Sequence, residues 1–72
     1  MTRGQAEALR LGDKLKPKAL WNRTSPANKR LPDVVTVSGV YRAQCELGIM
    51  VVVHDEHGRR HELSAGWFEV AE

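Results

Sequence analysis

The chain of 72 residues has one cysteine, Cys45. A lone thiol has no internal partner, so no disulfide framework holds the fold, and a reducing, cytoplasmic setting is expected. In that setting the triplet Asn22-Arg23-Thr24, which fits the glycosylation pattern, carries no meaning as an acceptor. Long apolar runs are missing too. None approaches the roughly 20 residues that span a bilayer, and the opening stretch MTRGQAEALRLGDK has no apolar segment of the kind a secretory signal needs; no membrane partner is expected. Aromatics are few: Trp21, Tyr41, Trp67 and Phe68. So few rings do not build a broad platform for stacking bases. No glycine-rich phosphate loop follows a strand pattern, and no Ser/His/Asp order is legible from spacing. Asp55 and Glu56 are adjacent turn acids rather than a placed pair. A domain this short buries only about 60% of its unfolded surface, which leaves little room for a pocket of several hundred Å3. The chain is therefore read as one domain and not an enzyme, with no cofactor.

What is present begins with an uneven charge. Residues 1–30 carry eight Lys and Arg against Glu7 and Asp13, a net +6, whereas residues 31–72 carry three Arg against seven acids, a net −4. A basic half fits an acidic partner such as nucleic acid, and it also fits a merely solvated face. For the nucleic-acid reading the candidate contacts are Lys14, Lys16, Lys18, Arg23, Lys29 and Arg30, with Trp21 or Trp67 stacking on bases.

Along the chain, TRGQAEALRLG predicts a short helix. Thr2 caps it with Gln5 completing a capping box, Gly12 closes it in the left-handed conformation, and it packs through Leu9 and Leu11 or frays. GDKLKPK predicts a first strand with Lys14 and Lys16 on one face, Leu15 on the other, and Pro17 at an end that no ladder continues past. The next stretch, KALWNRTSPANKRLPD, shows no period and reads as a long loop, the most mobile internal segment; Trp21 within it either pins the loop down or awaits a ligand. DVVTVSGVYRA predicts a second strand. Gly39 bends or bulges it, so that Val40 rather than Tyr41 follows the inward set. In CELGIMVVVHD the run from Ile49 to Val53 does not alternate, consistent with burial on both faces. Asp55-Glu56-His57-Gly58 suits a type I turn with Gly58 left-handed. That register pairs Asp55 with Arg59, His54 with Arg60, Val53 with His61 and Val51 with Leu63. A turn at Ala65-Gly66 then leads to a short last strand. There Phe68 and Val70 share the uncharged face and form core, and Trp67 and Glu69 face outward, Trp67 either meeting a ligand, closing the open end of the fold or packing on the helix.

Cys45, His54, His57 and His61 lie in a spacing that raises the question of a metal. In the register above, His54 and His61 fall on opposite faces, which forbids joint ligation; a two-residue turn at His57-Gly58 would set them opposite each other. The first register is preferred and no metal is assigned.

GDKLKP, VTVSGVY, GIMVVV and ELSAGWFEV together resemble an SH3-like barrel over residues 12–71. The layout is similar to small barrel proteins of bacteriophages and other mobile elements, which share G-D, then V-T-x-x-G, then G-x-M-V-x-V, then L-x-A-G-W-F. The resemblance implies a mainly β, five-stranded SH3-like barrel over residues 12–72, with a long loop after the first strand and residues 1–11 as a short N-terminal helix or flexible arm. Such barrels host many unrelated functions. One is a plasmid-type dihydrofolate reductase, whose pore-lining Val-Gln-Ile-Tyr segment has no counterpart here, so that activity does not carry over. The ligand groove of SH3-like domains is commonly lined by aromatics near the break before the last strand. This gives the preferred expectation: a protein-interaction module, monomeric or weakly self-associating, using Trp21, Tyr41 and Trp67 in a phage or mobile-element accessory role on a host protein. Nucleic-acid binding by the basic half is the alternative.

Overall fold

The computed structural model describes residues 1–71. It is mainly β: six strands form two three-stranded antiparallel sheets, ordered β2-β1-β6 and β3-β4-β5. β1 spans Lys14–Pro17, β2 Val35–Thr36, β3 Gly39–Arg42, β4 Ile49–His54, β5 Arg60–Ser64 and β6 Phe68–Val70. Two short helices, α1 (Arg3–Glu7) and α2 (Ala19–Thr24), and two 3-10 turns (Ala27–Lys29 and Ala65–Trp67) complete it. Among the described residues no helix is long and apolar enough to cross a membrane.

The second predicted strand is divided between the sheets. Val37 exchanges bonds with the first sheet, its amide donating to the Asp13 carbonyl and its carbonyl accepting from Gly12, each at 2.8 Å. The amide of the next residue, Ser38, donates to Val52 in the second sheet at 2.8 Å. Gly39 follows at once, and the Cβ of any other residue there would lie 3.2 Å from the Cβ and Cγ2 of Val52. The bend anticipated at this glycine is thus a handover between sheets at a place where two backbones approach closely. Past it, Val37 is buried, Val40 packs on the core and Tyr41 is exposed.

Pro17 explains why β2 is short. β1 pairs with β2 only through Lys14↔Thr36 and Leu15↔Val35, while its partnership with β6 runs on to Pro17↔Phe68. The bond from Val37 to Asp13 sets odd residues of β1 facing β2. The next rung would need an N–H from Pro17, which has none. An open cleft of about 510 Å3, lined by Lys16, Pro17, Ala19, Asn22 and Asp33, lies where that rung is missing. Clefts of this size correct the expectation that so small a domain has almost no room for one.

The core gathers Phe68, Leu15, Val37, Val51 and Val53, all fully buried, with Val35, Ile49, Leu31, Ala65 and Ala6. Ala6 brings α1 into the core. Its capping box is formed, the Thr2 hydroxyl accepting from the Gln5 amide and the Gln5 side chain accepting from the Thr2 amide. The helix is shorter than expected, ending at Ala8 rather than Gly12. Gly12 is left-handed, at φ +92°, but serves the turn into β1. Leu9 packs on the core and Leu11 does not, being 70% exposed.

The hairpin adopts the expected register. Val51↔Leu63, Val53↔His61 and His54↔Arg60 are opposed, the Asp55 amide donates to the Arg59 carbonyl, and Gly58 has φ +76°.

Candidate functional site

Two of the three aromatics expected at a binding surface come together. The rings of Trp21 and Trp67 meet edge to face, centroids 5.2 Å apart at 62°. Both are half-buried against the core. Each has been placed by a local device that the sequence did not reveal. Trp21 lies in α2, within the stretch read as a periodless loop. That segment is tied down at several points: the Trp21 indole N–H donates to the Lys29 carbonyl at 3.0 Å, and Asn22 and Leu31 exchange two bonds of 2.9 Å, side-chain amide to backbone. Leu31 itself is buried. Such anchors are single side-chain to backbone bonds and leave no periodic signature. Trp67 ends the 3-10 turn opened by Ser64, whose hydroxyl accepts from the Gly66 amide. The Trp67 carbonyl takes the Lys18 amide at 2.8 Å, which fixes the start of α2 beside this turn.

These placements correct the face assignment for the last strand. Trp67 is not a strand residue with an outward ring: the turn rotates it onto Trp21. Phe68 is inward as expected, but Val70 is 43% exposed and outside the core. Val70 pairs with Leu15 at the end of β6 and borders an open, mostly apolar cleft of about 300 Å3 with Ala8, Leu9 and Ala71.

Tyr41 does not join the tryptophans. It lies on β3, 41% exposed, in the cross-strand row Tyr41–Met50–Ser64. Partial burial, with the Glu62 carboxylate beside it, holds its hydroxyl pKa above the usual value.

The basic candidates are spread along one strand and the segment after it. Lys14 and Lys16 lie on the face of β1 opposite buried Leu15. The Lys14 ammonium donates to the Thr36 hydroxyl at 2.6 Å, and Lys16 is paired with Glu69 in the strand register. Lys18 precedes α2, Arg23 lies in its last turn, Lys29 ends the first 3-10 turn and Arg30 follows it; all are exposed.

Among the histidines, His54 and His61 fall on opposite faces of the hairpin. His54 Nδ1 lies 3.2 Å from the Ser38 hydroxyl. His61 Nε2 donates to Asp55 Oδ2 at 2.9 Å, and Asp55 Oδ1 accepts from the amides of His57 and Arg59. The Asp55 side chain is 4% exposed. The His61 bond, helped by those amides and opposed by burial, holds this carboxyl down to about 2. Sequence reasoning placed Asp55 only as one of two adjacent turn acids. The signal available was its position two residues before His57, where an aspartate commonly bonds the backbone two residues on.

Compared with protein-family models, with curated proteins and with solved structures, the chain matches none.

Proposed function

We propose that the chain is an SH3-like barrel that binds a partner protein through the Trp21–Trp67 pair. The fold reading is supported by the strand order. If β2 and β3 count as one bent strand, five strands run β6-β1-β2/β3-β4-β5, and a 3-10 turn precedes the last. The single observation behind the binding site is that Trp21 and Trp67, distant in sequence, pack edge to face while neither is fully buried. Phe68 already fills the core from the same end of the chain. Interface energy concentrates in Trp, Tyr and Arg, and a rigid, preplaced aromatic pair loses little entropy on binding. The mobile-element pattern in the sequence favours a host protein as the partner.

Nucleic-acid binding is the second reading, supported by the row Lys14, Lys16 and Lys18. It is disfavoured by Glu69 beside Lys16 and by the edge-to-face packing of the two tryptophans, which takes up one of the few ring faces on which a base could stack. The two readings separate in one pair of assays. The immobilised chain is used to capture proteins from a host lysate, with Trp21→Ala and Trp67→Ala as controls, and mixed oligonucleotides are titrated by fluorescence anisotropy at about 150 mM salt. The expected result is a captured protein lost with either substitution, and only weak, non-specific oligonucleotide binding. Sub-micromolar oligonucleotide binding that disappears in Lys16→Gln/Lys18→Gln would replace the protein-binding reading with the nucleic-acid one.

A further inference from the structure

The outer edge of β5 is open. In the order β3-β4-β5 the strand pairs with β4 alone, and among the described residues no strand covers its other side. The bond from the Asp55 amide to the Arg59 carbonyl fixes the parity of the ladder, so His61 and Leu63 turn their backbone groups toward β4. The amides and carbonyls of Arg60 and Glu62 therefore face away from the sheet. No proline or lysine guards this edge, the devices that commonly do so. Its two charges are of opposite sign and two residues apart on one face, both well exposed, and they bridge each other at 3.4 Å.

That spacing makes the edge its own complement. A second copy laid antiparallel, with the two-fold axis at His61, sets Arg60 opposite Glu62 of the other copy and Glu62 opposite its Arg60. Both are outward-facing pairs, so each exchanges two backbone hydrogen bonds, four in all. Directly opposed residues share a face, so each within-chain ion pair gains a partner across the axis. Centring the axis on Glu62 would instead oppose the two glutamates, which like-charge repulsion disfavours. We propose that the chain forms a two-fold dimer by β5 edge pairing in the Arg60–Glu62 register, joining two three-stranded sheets into one of six strands. The proposal is independent of the tryptophan pair. With so short an edge, the dimer is weak and concentration-dependent.

Sedimentation equilibrium of the full chain over a wide concentration range tests it, with circular dichroism checking that each variant is folded. Both substituted side chains are solvent-facing, so folding is retained. The wild type should show a monomer–dimer equilibrium. Arg60→Glu and Glu62→Arg alone each oppose like charges and should weaken it by roughly tenfold. The double exchange, Arg60→Glu with Glu62→Arg, should restore it. A wild type that stays monomeric up to about millimolar concentration, the regime of the weakest specific contacts, would overturn the proposal. A dimer indifferent to both single exchanges, or one not restored by the double, would overturn the register and with it the interface.

Discussion

Phe68 and Trp67 are neighbours in the chain with different work. Phe68 is fully buried at the centre of the core, so Phe68→Ala should cost roughly 3–5 kcal/mol, enough to unfold a domain of this size. Trp67 is half-buried and stacks on Trp21; its truncation loses an edge-to-face contact of about 0.5–1.5 kcal/mol and part of its buried area. A urea titration should show a clearly smaller loss for Trp67→Ala. Equal losses would mean that the tryptophan is a core residue first. Asp55 is the other residue whose surroundings make a sharp expectation. Its folded carboxyl titrates near 2 because His61 and two amides bond the charged form, whereas an unfolded aspartate titrates near 3.9. A depressed folded value stabilises the fold fully above the unfolded pKa, and that contribution fades as pH falls toward 2. The difference in urea midpoint between wild type and Asp55→Asn should therefore shrink between about pH 4 and pH 2. A difference that does not change across that window would detach the hairpin from this carboxylate.

Among the elements, those set by local rules were legible in the sequence and those set by remote contacts were not. The capping box of α1 and the Gly58 hairpin each depend on residues within a few positions, and both appear as expected. Gly39 announced a bend, and Val40 and Tyr41 fell on the expected sides. The segment from Lys18 to Leu31 was illegible because its order comes from Asn22 gripping Leu31 and from an indole bonded to Lys29, neither of which repeats. Val70 was misplaced for a related reason: alternation predicts a face but not where the opposite layer ends. The Asn22 grip has a measurable consequence. Asn22→Ala removes two hydrogen bonds worth about 1 kcal/mol each, and it should raise the local opening of the segment. Trypsin should then cleave after Lys29 or Arg30 roughly thirtyfold faster, and because full unfolding breaks the same two bonds, global stability should fall by about 2 kcal/mol. Unchanged cleavage would show that Trp21 and buried Leu31 hold the segment without Asn22.

At the scale of the whole molecule, the basic and acidic halves are interleaved by the fold. β1, from the basic half, lies between β2 and β6, and Lys16 is paired with Glu69. A count along the sequence could not see this, since the two strands are joined only by the complete topology. It likewise could not bring Trp21 to Trp67, though it named both. Of the three aromatics named together from the sequence, the fold pairs the tryptophans with each other and places Tyr41 on the second sheet with Met50 and Glu62. This separation gives the most direct test of the binding surface. Once a partner protein is in hand, its affinity should be measured by calorimetry against the wild type and against Trp21→Ala, Trp67→Ala and Tyr41→Ala, each shown to be folded. Each tryptophan variant should weaken binding by roughly tenfold or more, the mark of an interface hot spot, and Tyr41→Ala should leave it nearly unchanged. Full affinity in both tryptophan variants, or a loss confined to Tyr41→Ala, would contradict the assignment.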